Sequence, residues 1–304
     1  MFKDLVQQVI QRDSFQEKKL EIFFNDAGAT FLERAENFAL GLDRYLANNG
    51  RSHKDVVEAY LELCADMMSE QIKFMRTDLY SMPNEETAFN QIYDNQIKMQ
   101  AYMEGLALSQ FLWESHYKIL DFYIDVITSL SSQVGSYLEI GPGHGLYLSY
   151  GARILRGSRL TAIDISKTSI ALTKKMLAAL NWDQESLNIK YHIGNFETFS
   201  SQESFDFIAM GEVIEHLDNP LPLLIQIRDS LSPKGHAFLT TCANCPAIDH
   251  VYLFRNIGEI QKLLELAGFQ IITERILPVE RLPMEEIVRQ KICINYAALV
   301  QRKI

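Results

Sequence analysis

A short apolar run, Tyr137–Ile140, leads into Gly141-Pro142-Gly143-His144-Gly145, and Asp164 closes the next apolar run 19 residues after the last of these glycines. Few folds use that combination. Alternating glycines let a backbone turn tightly and approach a ligand with no Cβ in the way, and an acid at the tip of the following strand can accept hydrogen bonds from both ribose hydroxyls. The pattern predicts a βαβ unit holding a nucleoside at the carboxyl ends of its strands. The dinucleotide fingerprint shares this logic but requires Gly-x-Gly-x-x-Gly or Ala, and counted from Gly141 and Gly143 the last position is Leu146. The register is Gly-x-Gly-x-Gly, preceded by the acid Glu139. With no glycine opening the helix for a pyrophosphate, a ligand with an amino-acid tail fits better than a nicotinamide dinucleotide.

From about Val134 onward, short apolar runs alternate with helical segments, as in a mostly parallel sheet with crossover helices. Strands are expected at Tyr137–Ile140, Leu160–Asp164, Ile189–Ile193, Phe205–Met210, Ala237–Thr241, Ile271–Leu277 and Ile292–Val300. One helix should open at Asp218-Asn219-Pro220 and stop near Ser232-Pro233-Lys234-Gly235. Only Pro278–Pro283 and a short Met284–Arg289 segment separate the last two strands, so the final strand is expected to pair antiparallel with its neighbour.

The first 133 residues read differently. Apolar residues recur there every three or four positions and glycine is sparse, which predicts an all-α unit, residues 1–133, ahead of an α/β unit, residues 134–304. Ser52 and Asp55 form an acidic variant of the capping box before a helix from about His53 to Arg76, and Pro83-Asn84-Glu85-Glu86 opens a second helical stretch that Gly105 could kink or divide. This part holds 21 of the 39 acidic residues but only 12 of the 29 basic ones, and the net charge of −10 opposes attraction to nucleic acid or anionic membranes. Met1-Phe2-Lys3-Asp4-Leu5 carries an early acid and no signal-like apolar run, so a cytoplasmic protein is expected. Cys64, Cys242, Cys245 and Cys293 are too scattered for a disulfide framework, and reduced thiols are the expectation.

Four stretches carry a resemblance. They are Glu139-Ile140-Gly141-Pro142-Gly143-His144-Gly145, Ala162-Ile163-Asp164-Ile165-Ser166, Gly194-Asn195-Phe196, and Phe205 to Leu217 with its Met210-Gly211-Glu212-Val213-Ile214-Glu215-His216-Leu217 end. In order and spacing they resemble the successive motifs of class I S-adenosylmethionine-dependent methyltransferases, over about Val134 to Val300, and the Glu-His-Leu stretch is most similar to small-molecule enzymes of the ubiquinone-biosynthesis type. The resemblance implies a Rossmann-like seven-stranded sheet. It implies that Glu139, Gly141, Pro142, Gly143 and Gly145 lie beneath the methionine moiety, Asp164 on the ribose, and Ile165 and Phe196 against the adenine. Asn195 stands where an Asp is usual, and its uncharged carbonyl should accept more weakly from the adenine amino group. Gly211 and Glu212 would sit where the cofactor's amino group meets the substrate.

Methyl transfer from a sulfonium is an in-line displacement: the protein aligns acceptor and methyl and, for a hydroxyl acceptor, removes a proton. Histidine is the natural base near neutral pH. Two histidines fall in loops at the expected mouth of the sheet, His250 after the fifth strand, the better placed, and His216 after the fourth. Cys242-Ala243-Asn244-Cys245 has metal-ligand spacing but no second pair nearby, so no metal is expected. Methionines and aromatics concentrate in the helical part, and Tyr93, Tyr102 and Trp113, with Tyr252 from the later loop, are candidate substrate contacts. The expected function is methylation, most readily O-methylation of a hydroxyl or carboxyl, of a small organic acceptor, with the helical part as lid and as dimer interface. Its rivals are an N- or C-methyltransferase and a non-methylating protein, pericyclase-like or a binding module, that keeps the cofactor site.

Overall fold

The computed structural model describes residues 1–181, 188–199 and 204–303. Its first part is helical: α1 (Phe2–Arg12), α2 (Glu17–Asn48), α3 (His53–Thr77), α4 (Glu85–Ala88), α5 (Gln96–Leu112) and α6 (Glu114–Leu130). The caps fall where the side chains call for them. Ser52 accepts from the Asp55 N–H while Asp55 accepts from the Ser52 N–H, and Asn84 accepts from the Thr87 N–H at 2.8 Å. After α4 the chain makes one π-helical turn, Phe89–Tyr93.

The helical stretch is divided not at Gly105, which could have kinked or divided it, but at Trp113, whose extended backbone (φ −106°, ψ 120°) separates α5 from α6. Gly105 stays inside α5, and a Cβ there would lie 2.9 Å from the Ala59 carbonyl oxygen. Glycine at this position lets α3 and α5 approach closely; it does not divide the helix.

The second part alternates β1 (Ser136–Ile140), α7 (Leu146–Ile154), β2 (Arg159–Asp164), α8 (Lys167–Leu180), β3 (Ile189–Ile193), β4 (Phe205–Gly211), α9 (Leu221–Ser230), β5 (Leu231–Ala243), α10 (Ile257–Leu266), β6 (Phe269–Pro278), α11 (Met284–Arg289) and β7 (Ile294–Arg302). They form one seven-stranded sheet in the order β3-β2-β1-β4-β5-β7-β6. β7 runs antiparallel to both neighbours and the other pairs are parallel. β5 starts earlier than the sequence suggests and carries Pro233 and Gly235 inside it. The register with β4 slips between Phe205 and Phe207, and that irregularity accommodates a residue unable to donate to a ladder.

One apolar core runs from α1 and α2 through α5 and α6 to the sheet face bearing Tyr137, Phe207 and Phe238. Phe122 and Tyr123 of α6 meet Phe238 at 5.5 and 5.3 Å between ring centroids. A second core lies on the other face, under α9 and α10, around Ile208, Leu239 and Ile260. Cys245 and Cys293, 48 residues apart, are joined as a disulfide. This corrects the expectation of reduced thiols: the β5–β7 ladder pairs Ala243 with Ile294, which brings the residues just beyond its end face to face. Cys64 and Cys242 are free. No helix among the described residues is long and apolar enough to cross a membrane.

Candidate active site

A cavity of about 640 Å³ opens at the carboxyl ends of β1, β2, β4 and β5 and is roofed by residues of α3, α5 and the Phe89–Tyr93 turn. That is where a doubly wound sheet leaves a crevice. Gly141, Gly143 and Gly145 all have positive φ (64°, 49° and 75°), the left-handed conformation that admits glycine most easily. At Gly143 a Cβ would come within 3.2 Å of Met103 Sδ, so the loop's floor and the helical roof nearly touch there. Gly145 does not line the cavity; it sits at the start of α7.

Glu139, Gly141, Pro142, Gly143, Asp164, Ile165, Asn195, Phe196, Gly211 and Glu212 line this one cavity. Burial pushes Glu139 up to about 8, against the opposing pull of the Tyr137 hydroxyl that donates to it. Burial likewise lifts Asp164 to about 6, although its carboxylate accepts from Ser169 Oγ at 2.6 Å and the Ser166 N–H at 2.8 Å. The Asn195 carbonyl accepts from the Glu197 N–H at 2.8 Å, which leaves one lone pair for a ligand. Glu212 holds φ 52°, a conformation that costs a non-glycine residue energy and fixes its side chain toward Thr240, whose hydroxyl donates to it at 2.7 Å. Burial, then neighbouring Glu215, raises Glu212 well above the carboxylate range.

His216 and His250 meet in the cavity wall with ring centroids 4.9 Å apart. His250 is buried, and its Nδ1 donates to the Cys245 carbonyl at 2.6 Å; burial, then the charge of His216, lowers it to about 4. His216 donates from Nδ1 to the Asp249 carbonyl at 3.1 Å and lies 3.6 Å from that residue's carboxylate. Tyr93 and Tyr102 line the cavity, but their hydroxyls are engaged, each donating to the Asp249 carboxylate at 3.0 Å. Trp113 also lines it, with Nε1 donating to Tyr60. Tyr252 is not among the lining residues. Its backbone N–H donates to the Glu215 carbonyl and its ring packs on Phe254 in the second core, which holds it away from the cavity.

Asp249, fully buried, is the hub that sequence reasoning passed over as a site residue. Its neighbour His250 was a signal; its tyrosine partners, 156 and 147 residues away, gave none. Glu215, Cys242 and His250, and separately His216, Asp249 and His250, also bring three donor atoms within 4.8 Å of one another. Seven carboxylate residues and no lysine or arginine line the cavity among the described residues, and burial also holds His144 low, at about 4.

Residues 113–274 match the family model described as a methyltransferase domain. The match begins at Trp113, where α5 gives way to α6. Among curated proteins, a ubiquinone biosynthesis O-methyltransferase of Xanthomonas campestris pv. campestris (strain B100) is 30% identical over 112 residues, 36% of this chain and 44% of that one. The mitochondrial enzyme of the same name from Schizosaccharomyces pombe is 31% identical over 125 residues, 40% of this chain and 43% of that one. The chain thus matches less than half the length of these relatives. Among solved structures, human N-acetylserotonin methyltransferase with S-adenosylmethionine has a TM-score of 0.54 at 16% identity, covering 82% of this chain and 70% of that chain. N-methyltransferase NodS from Bradyrhizobium japonicum WM9 with S-adenosylhomocysteine has a TM-score of 0.51 at 19% identity, covering 68% and 97%. At such identities the likeness shows a shared fold.

Proposed function

This chain belongs to the class I S-adenosylmethionine-dependent methyltransferases, and on that premise we propose that it O-methylates a hydroxyl of a small, uncharged organic acceptor, with His216 as general base. The observation that carries this reading is the His216–Asp249 pair in the wall of the cavity that the cofactor-side motifs also line. With Nδ1 committed to Asp249, the second ring nitrogen keeps its lone pair for an acceptor proton, and the carboxylate stabilises the imidazolium that results. His250 is the weaker candidate, reversing the order expected from sequence, since a ring held near 4 is a poor base at neutral pH.

A hydroxyl fits better than a carboxyl. Among the described residues, seven carboxylate residues with no lysine or arginine offer an anionic acceptor no counter-charge, whereas they suit a sulfonium. About 640 Å³ must hold both the cofactor and the acceptor, which favours a small molecule. S-adenosylmethionine supplies the methyl group; Asp164, the glycine loop and the Asn195–Phe196 turn would hold it. We assign the histidine cluster to proton handling and not to a metal, because both Asp249 oxygens already accept from tyrosines and His250 Nδ1 already donates to the Cys245 carbonyl.

The test is kinetic. With S-adenosylhomocysteine formation followed across neutral phenols and alcohols, His216→Ala should lower turnover by ~10²–10⁴ and leave cofactor affinity nearly unchanged, and His250→Ala should cost less. Methylation of carboxylic acids in preference to alcohols, or full turnover by His216→Ala, would sink this reading.

A further inference from the structure

Tyr93 and Tyr102 come from different elements, the π-helical turn and α5, yet their hydroxyls converge on the two oxygens of one buried carboxylate, Asp249. Burial, then Asp249 itself, raises both phenols well above their ordinary value, so they keep their protons and act as donors. The Tyr93 ring also stands edge-on to His216, with centroids 6.0 Å apart. The same residue reaches the nucleoside side of the cavity: its carbonyl accepts from Ser166 Oγ at 3.0 Å, and the Ser166 N–H donates to Asp164. Hydrogen bonds therefore link Asp164 to Ser166, Ser166 to the Tyr93 carbonyl and the Tyr93 hydroxyl to the Asp249 carboxylate, which lies 3.6 Å from His216 Nδ1.

We propose that Tyr93 and Tyr102 are positioning residues: they hold Asp249 where it orients His216, and through Ser166 they make that arrangement respond to the nucleoside bound at Asp164. The proposal rests on His216 being the base. Two donors share the charge of Asp249, so less of it falls on the imidazole. The other titratable groups near His216 are His250, from the loop after β5, and Glu212 and its chain neighbour Glu215, from the turn after β4, and the Phe substitutions change none of these residues.

The test needs no acceptor. In the full chain loaded with S-adenosylhomocysteine, the His216 ring signal is assigned by its loss in His216→Gln and titrated by NMR, with His192 and His236, which do not line the cavity, as controls. In the Tyr93→Phe/Tyr102→Phe double variant the midpoint should move up by about half a pH unit or more, because Asp249 then concentrates its charge on the imidazolium. Each single variant should give part of that movement, which keeps the test valid if the double variant folds poorly. Adding S-adenosylhomocysteine should displace the His216 signal in the wild type and lose that effect when Tyr93 is Phe. An unmoved midpoint in both single variants, with the nucleoside bound, would overturn the proposal. A moved midpoint in a protein that methylates no acceptor would uphold the tyrosine clasp and reject the base assignment alone.

Discussion

Asp164 is held at about 6 by burial, and a ribose needs it as a carboxylate. Protonation and nucleoside binding therefore compete. Affinity for S-adenosylhomocysteine should fall as pH is lowered from 7 toward 5, and Asp164→Asn should bind ~1–3 kcal/mol more weakly at pH 7 with no such pH dependence. Calorimetry at the two pH values checks both, and equal affinity of variant and wild type at pH 7 would take Asp164 out of the site. At this scale the convergence of Glu139, Asp164, Asn195 and Glu212 on one cavity was readable, because each lies at or just beyond the carboxyl end of a strand of a parallel sheet, and crossover connections bring all such strand ends to one edge. The acceptor side was not. The directions of Tyr93, Tyr102 and Tyr252 depend on partners far along the chain, and residue type alone marks an aromatic as available without showing whether its hydroxyl is already taken.

Among elements, the closest fit is the contact of α3 with α5 at Gly105. A methyl group there would press on the Ala59 carbonyl, so Gly105→Ala should destabilise the protein by ~1–3 kcal/mol despite alanine's better helix propensity. Chemical denaturation measures this; a stabilised variant would show that the helices part at no cost. Sequence placed α3 and its cap correctly because the capping box is a local device. It left open that Gly105 kinks or divides the helix because glycine bends helices and also lets them approach, and only the partner helix tells the two apart. The early start of β5 escaped for a related reason: Pro233 and Gly235 are turn residues by local chemistry, and the ladder with β4 overrides them.

Taken whole, the molecule is built on a core shared by the helical part and one face of the sheet, with a covalent tie between the loop after β5 and the start of β7. Cys245→Ser/Cys293→Ser should lower stability by ~2–4 kcal/mol in oxidising buffer, and a reductant should bring the wild type down to the same melting temperature. No difference between the two proteins in oxidising buffer would refute a role for that tie. The helical part and the sheet could each be read from periodicity, but the apolar face that joins them could not, since periodicity shows that a face is buried and not what buries it. The absence of lysine and arginine from the cavity lining, among the described residues, has a consequence for turnover. Donating the methyl group turns a cationic sulfonium into a neutral thioether, so the reaction itself abolishes the attraction that brought the cofactor in. The spent cofactor should accordingly bind less tightly than the charged one, with the gap narrowing as salt is added, and titrations of both at low and high ionic strength would show whether the chemistry helps to eject its own product.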